Sequence, residues 1–212
     1  MRRSTGDTKQ VIYVGLDLSL RASGVVAIKG STGGVVHHEV LSCAVVGEER
    51  LCALASLLAS TLQMLKGDYR IRAVAIEGYS MGSNVGMLAQ IAEWGGVARH
   101  LLESEGIPFA VVAPTSLKLF ATGNGQCKGK PPVVMALYKR HGVEFTDDNE
   151  ADACWLAHMA RAMVQAYGLK EHEERGVQKA YPSATFRALF RSAGCVAYYN
   201  AEKSKGKKAK KR

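Results

Sequence analysis

Three acidic residues stand where the surrounding sequence is apolar, so that a carboxylate there needs a compensating partner. Asp17 lies in the apolar run 11–18, Glu77 ends the run 72–77, and Asp152 falls in the first turns of the last predicted helix. Burying a carboxylate is costly unless a cation or hydrogen bonds compensate it. Two carboxylates from strands and one from a packed helix can converge at the centre of a sheet.

Such an oxygen-rich cluster suits Mg²⁺, with Mn²⁺ as a substitute, because both ions prefer hard oxygen ligands. Two ions about 3.5–4 Å apart can activate an attacking water and stabilise the leaving oxygen of a phosphodiester. One acid alone would more often be a strand end or a salt-bridge partner. Three at these places predict a two-metal phosphodiesterase site with Asp17, Glu77 and Asp152 as catalytic metal ligands.

The elements that must position these acids alternate along the chain. Apolar runs at 11–18, 23–29 and 35–45 predict an antiparallel ribbon of three strands, and the runs 72–77 and 109–113 predict two more. Helices are predicted over 48–65, 85–105, from Pro114, over 133–141, and from Asp147 to about Tyr167. Asp147 and Glu150 have the spacing of a capping box. The order predicts an α/β fold, with a five-stranded mixed sheet flanked by helices.

The positive charge is concentrated at the end of the chain. The net charge is +9, and the segment 201–212 holds six lysines and Arg212 against one glutamate. A lysine-rich tail is typical of a disordered arm for a polyanion, so Lys207 and Lys208 are predicted to bind DNA. We expect a disordered N-terminus (1–10), one nuclease domain (11–167), a peripheral extension (168–200) and this basic tail (201–212).

Composition excludes several classes of protein. The five cysteines are odd in number and form no C-x-x-C pair, which disfavours a disulfide framework or a zinc site. No apolar run approaches the roughly 20 residues of a membrane span. No apolar stretch follows the basic pair near the N-terminus, as a signal peptide would require. A soluble, cytoplasmic protein is therefore expected.

Four segments, in this order, resemble the motifs of RuvC-type Holliday junction resolvases, which have the RNase H-like fold. They are Val14–Leu20 with Ser23–Val26, Ala75–Tyr79, Ala113–Lys118 with the glycine- and lysine-rich stretch 122–130, and Asn149–Ala153. The resemblance covers residues 11–165. The four segments together are far more specific than any one of them.

The resemblance implies a metal-dependent, structure-selective DNA endonuclease that resolves four-way and other branched junctions by paired nicks. It implies two Mg²⁺ ions per site and a homodimer, with Asp17, Glu77 and Asp152 at the family's catalytic positions. The family commonly has an aspartate where this chain has Asn149. Asp148 shares a helix face with Asp152, since residues i and i+4 are neighbours, so we assign it as fourth ligand with Asn149 as the alternative.

DNA contacts are expected from two further segments. Lys118 matches a phosphate-contacting lysine of the family, and Lys128 and Lys130 lie in a glycine-rich loop that could approach a phosphate backbone closely. The segment 79–84 follows Glu77, where relatives carry residues that probe bases at the junction centre. Tyr79, Met81 and Asn84 are the candidates, with packing of Tyr79 on the sheet edge as the alternative.

Other functions remain as alternatives. Another RNase H-like nuclease would cut RNA–DNA hybrids or flaps, and a non-catalytic DNA-binding protein of this fold would have lost its carboxylates. An ATPase of the actin and sugar-kinase type would need two such domains. The compact chain and its lysine tail suggest a phage-encoded resolvase acting in the host cytoplasm.

Overall fold

A computed structural model describes residues 9–79, 85–165, 169–177 and 180–183. Within these ranges none of the helices has the length and apolar character needed to span a membrane. The strands are β1 (Gln10–Asp17), β2 (Ser23–Lys29), β3 (Val35–Leu41), β4 (Tyr69–Glu77), β5 (Phe109–Val112) and β6 (Tyr181–Pro182). The helices are α1 (Glu48–Asp68), α2 (Val85–Ser104), α3 (Pro114–Thr122), α4 (Pro131–His141), α5 (Asp148–Gln165) and α6 (Glu171–Val177).

The strands form one mixed sheet in the order β3-β2-β1-β4-β5-β6. β1, β2 and β3 pair antiparallel, whereas β4 and β5 run parallel to β1. This confirms the predicted sheet, in which three antiparallel strands are followed by parallel ones. The prediction of five strands missed β6, which pairs antiparallel with β5. Two residues are too few to show the alternation that identifies a strand.

Side chains of β1 alternate between two separate cores. Ile12, Val14 and Leu16 pack on the face that carries α1 and α2. Because successive strand side chains point to opposite faces, Gly15 and Asp17 lie on the face that carries α5. One face of β1 is therefore aliphatic and packs on α1 and α2, whereas the opposite face ends at the carboxylate of Asp17 and is turned toward α5.

α5 lies directly against the centre of the sheet because two strand residues there lack a side chain. A Cβ on Gly15 would stand 1.8 Å from the carbonyl oxygen of Ala153. A Cβ on Gly24 would stand 2.2 Å from the carbonyl oxygen of Asn149. Most residues of α5 are buried as a result. Glycine thus lets the helix backbone come into contact with β1 and β2.

The described part of the segment 168–200, predicted as a peripheral extension, packs on the α5 side of the molecule. α6 lies against α3, where a Cβ on Gly176 would be 2.9 Å from Cβ of Phe120. The carboxylate of Glu173 is fully buried and forms an ion pair with Arg140 of α4. The C-terminal elements therefore extend both the sheet and the helical layer.

Gly15→Ala should destabilise the protein, because its Cβ would force α5 away from β1. Overpacking of this kind costs about 1–3 kcal/mol, and we expect the upper end of that range because the obstacle is backbone. Urea denaturation measures the change in the free energy of unfolding.

Gly67→Ala in α1 is the matched control, since a Cβ there meets nothing within 4 Å. Removing a glycine from a helix should stabilise the protein by about 0.5–1 kcal/mol. Wild-type stability of Gly15→Ala would contradict the close packing of α5.

Candidate active site

Asp17 and Glu77 lie side by side at one end of the sheet. β1 and β4 are adjacent parallel strands with Leu16 opposite Ile76, so their carboxyl ends meet at the same edge. The alternation of side chains puts both acids on the face that carries α5. The two carboxyl groups are close enough that each influences the pKa of the other.

Asp152 approaches the same edge from the first turns of α5. Asp17 pairs with Gly24 across β1 and β2, and Gly24 is the residue on which the backbone of Asn149 rests. The start of α5 therefore lies over the ends of the strands. The carboxylate of Asp152 is only 14% exposed there. Three carboxylates from distant parts of the sequence thus converge, as the pattern of acids predicted.

Burial is the main reason why the pKa of each carboxyl group is raised. It raises the pKa of Asp17. Burial, followed by the charge of Asp17, raises the pKa of Glu77 well above its ordinary value. Burial and then the charge of Asp17 raise the pKa of Asp152 to about 6. Ionisation of this cluster needs positive charge, and its donors are the hard oxygens that Mg²⁺ takes, so the residues fit a divalent ion.

Lys130 brings a positive charge into the carboxylate cluster. Its ammonium lies 3.4 Å from Oδ2 of Asp152 and donates a hydrogen bond to Oδ1 of Asn149 at 3.1 Å. Among the described residues, no three His, Cys, Asp or Glu side chains already surround a common metal position. Asp17, Glu77 and Asp152 would hold a divalent ion here, and their side chains would have to come closer together to do so.

The glycine-rich loop before α4 is folded back on α3. The ammonium of Lys118 donates a hydrogen bond to the carbonyl oxygen of Cys127 at 3.2 Å. A Cβ on Gly125 would stand 2.7 Å from the carbonyl oxygen of Thr115. The side chain of Lys128 is exposed on this loop. The three predicted lysines therefore have different surroundings: Lys118 braces the loop, Lys128 faces solvent and Lys130 reaches the carboxylates.

The first turn of α5 departs from the predicted capping box. Asp147 does cap the helix, since its Oδ1 accepts a hydrogen bond from the backbone N–H of Asn149 at 2.7 Å. Glu150, however, is buried, and its Oε1 lies 2.7 Å from Nδ1 of His38 in β3. The assignment of Glu150 to the cap is therefore wrong, because a partner distant in sequence holds the side chain. Periodicity along one helix could not reveal that partner.

Three residues at the start of α5 lie near Asp17 and Asp152 and affect their charge or contacts. Asp148, our predicted fourth ligand, is exposed, and its charge contributes to raising the pKa of Asp152 after burial and Asp17. The side chain of Asn149 is tied to the ammonium that contacts Asp152. Asp147, which the sequence assigned only to capping, also contributes to raising the pKa of Asp17. Because Asp147 directly precedes the candidate ligands Asp148 and Asn149 in the sequence, its position could have indicated that it lies near the site.

Tyr79 packs on α2. Its hydroxyl donates a hydrogen bond to the carbonyl oxygen of Ala92 at 3.2 Å and accepts one from Arg99 at 3.0 Å. A Cβ on Gly95 would be 2.2 Å from that hydroxyl. Tyr79 therefore packs on α2 rather than on the sheet edge, and its stacking on a base stays a prediction. The other predicted DNA-binding residues that lie outside the described ranges are Met81, Asn84, Lys207 and Lys208.

Asp152→Asn should stabilise the metal-free protein above pH 6. The unfolded carboxyl loses its proton near its ordinary pKa of 3.8, whereas the folded one holds it to about 6. The wild-type free energy of unfolding therefore falls as the pH rises across this window, and the neutral amide avoids the loss. We expect a gain on the order of 2 kcal/mol at pH 7.5, vanishing below pH 4.

Thermal unfolding of both proteins in EDTA, from pH 4 to pH 7.5, measures this difference. Comparing the pair removes the contributions of groups that do not interact with Asp152, such as the buried His158. Addition of Mg²⁺ at pH 7.5 should stabilise the wild type more than Asp152→Asn. A stability difference that does not change with pH would contradict the raised pKa of Asp152.

Comparisons with known proteins place this site in a family. Residues 13–157 match the model of the crossover junction endodeoxyribonuclease RuvC. A structure of Thermus thermophilus RuvC superimposes with a TM-score of 0.62 and 17% identity, covering 81% of this chain and 99% of that one. The T. thermophilus RuvC in complex with Holliday junction substrate gives a TM-score of 0.61 and 18% identity, with the same coverage.

A search of curated protein sequences found no relative. The matched segment begins within β1 and ends within α5, so it contains Asp17, Glu77 and Asp152. The structural likeness independently supports the RNase H-like fold. The chain therefore belongs to the RuvC family of crossover junction endodeoxyribonucleases.

Proposed function

We propose that this chain is a divalent-metal-dependent endonuclease that resolves four-way DNA junctions by paired nicks in strands of opposite arms. The observation that carries the proposal is the convergence of Asp17, Glu77 and Asp152 at one end of the sheet. Family membership supports junction DNA as the substrate. Metal dependence and two ions are proposed from the chemistry of these residues, and coupled nicking is proposed from the resemblance to resolvases.

The buried carboxylates would hold the metal. Asp17, Glu77 and Asp152 provide the main ligands, with Asp148 or Asn149 as the fourth. Two Mg²⁺ ions bound there, or Mn²⁺ in their place, would activate the attacking water and stabilise the charge on the leaving oxygen. The hydrogen bond of Asn149 to Lys130 supports Asn149 as a neighbour of the ions, while the charge of Asp148 supports a longer-range role.

The basic side chains would position the cleaved strand. Lys130 already lies against the carboxylates, so its ammonium is within reach of a phosphate that enters the site. Lys128 is exposed on the same loop and can contact a neighbouring phosphate. Lys118 would act mainly through the loop, since its ammonium holds the carbonyl group of Cys127.

Paired nicking needs two active sites. A closed homodimer presents two identical sites about one two-fold axis, and a four-way junction offers two symmetry-related strands to match them. We therefore propose a homodimer as the active form. Junction geometry, rather than base sequence, then provides the main selectivity.

The loss of stability caused by ionising the buried carboxylates argues against a non-catalytic DNA-binding protein. Each of the three carboxyl groups has a raised pKa, so its ionised form weakens the fold when no cation is bound. A protein that only bound DNA would gain by losing them. A nuclease for RNA–DNA hybrids or flaps would share this site, and the choice of substrate separates it from a resolvase.

Incubation with a four-way junction, a linear duplex of the same sequence, a flap and an RNA–DNA hybrid tests the proposal. Each substrate is compared with and without Mg²⁺. We expect Mg²⁺-dependent cutting of the junction, with little cutting of the duplex. Cleavage confined to the hybrid would move the protein out of the resolvase class while leaving the metal site standing.

Asp17→Asn, Glu77→Gln and Asp152→Asn should each abolish cleavage by removing charge that holds the cations. Junction binding should stay within about threefold of wild type, because most phosphate contacts lie elsewhere. Asp68→Asn is the matched control, since Asp68 is exposed and lies just before the opposite end of β4. Asp148→Asn and Asn149→Ala, compared directly, identify the fourth ligand. Full activity of Asp17→Asn would sink the metal-site proposal.

A supercoiled plasmid with an extruded cruciform should be converted to linear product. Coupled nicks in opposite strands give linear DNA with ligatable 5′-phosphate and 3′-hydroxyl ends, whereas independent nicks give open circles. Gel electrophoresis distinguishes the two products. Accumulation of open circles as the main product would argue against paired nicking by a dimer.

A further inference from the structure

A basic groove lies between α4 and α6, beside the candidate active site. We call it the α4–α6 groove. One wall is α4, which lies within the residues 13–157 matched by the family model, and the other wall is formed by α6 and the residue before it, which lie beyond that match. Its lining includes Thr122, Pro132, Met135, Lys139, Lys170 and His172.

The groove has an excess of positive charge. Lys139 and Lys170 are both exposed, one on each wall. Arg140 also lines the groove, although its charge is partly offset by the buried carboxylate of Glu173. Burial first, and then the charges of Lys170 and Arg140, lower the pKa of His172. The charge of Glu171 at the start of α6 raises the pKa of His172 and so acts in the opposite direction. The described side chains that line the groove nevertheless include three cations and no carboxylate, so the groove favours an anion.

The groove is continuous with the loop that enters the active site. The ring of His172 lies next to Gly123, where a Cβ would be 3.7 Å away. Gly123 caps α3 and begins the loop that ends at Lys130, whose ammonium is 3.4 Å from Asp152. The other end of that loop leads into α4 at Pro131 and so into the second wall. The groove thus begins at Pro132, two residues after Lys130, and continues along α4 to Lys139.

We propose that the α4–α6 groove binds the phosphate backbone of a DNA arm leaving the active site, an inference that rests on the proposed function. α4 rises about 1.5 Å per residue, so Lys139 lies about 14 Å along the helix from Lys130. Successive phosphates of one strand are about 3.4 Å apart along the duplex axis. Lys139 and Lys170 therefore meet the arm about four base pairs from the cut.

The double variant Lys139→Gln with Lys170→Gln tests this contact by equilibrium binding to a four-way junction in EDTA. Each phosphate contact contributes roughly −0.9 to the slope of log K against log salt, so the slope should become shallower by about 1.8. Affinity at 0.1 M salt should fall about tenfold. The control pair is Lys66→Gln with Arg70→Gln, which removes the same charge near the start of β4, at the far end of the sheet.

A neutral methylphosphonate placed about four nucleotides from the cut locates the contact. It should weaken binding of the wild type and the control pair, but not of the double variant. An unchanged salt slope in the double variant would overturn the groove assignment, and so would an equal loss of affinity in the control pair. An acidic protein segment would then be the remaining candidate for the groove. A wild-type protein that neither binds nor cuts junctions would instead overturn the proposed function.

Discussion

The backbone of α5 lies against β1 and β2 at the two places where these strands have glycine. At Gly15 a single methyl group would collide with the carbonyl oxygen of Ala153, and at Gly24 with that of Asn149. The position of Asp152 relative to Asp17 depends on this contact, because the helix and the strand can hold their carboxylates together only at such short range. The convergence of the carboxylates is thus a consequence of backbone packing.

That packing creates an electrostatic conflict. Asp17, Glu77 and Asp152 share a small, mostly buried volume, and their raised pKa values show how strongly the fold disfavours their full ionisation. Lys130 offsets part of the charge. Stability and ionisation of the carboxylates therefore oppose each other at this edge of the sheet, and perturbed pKa values of this kind are common at functional sites. The protein folds with these carboxylates in place, and a bound cation would stabilise their ionised forms.

Local sequence patterns predicted the five longer strands and the convergence of Asp17, Glu77 and Asp152, because each acid interrupts an apolar pattern. These patterns failed where the position of a side chain depends on a partner that is distant in the sequence. Glu150 was assigned to a cap, but His38 from β3 holds it. Lys128 and Lys130 looked equivalent, and only the folded loop brings Lys130 to Asp152. The short β6 and the docking of α6 gave no periodic signal, since their contacts are with β5 and α3 rather than within themselves.

The buried ion pair of Glu173 and Arg140 has a consequence for shortened versions of this chain. A truncation after α5 would keep every residue of the family match, yet it would remove the carboxylate that faces Arg140. It would also uncover the surface of α3 on which Gly176 rests. Such a truncation would leave Arg140 without its buried partner, so a fusion partner or cleavage site belongs beyond residue 183.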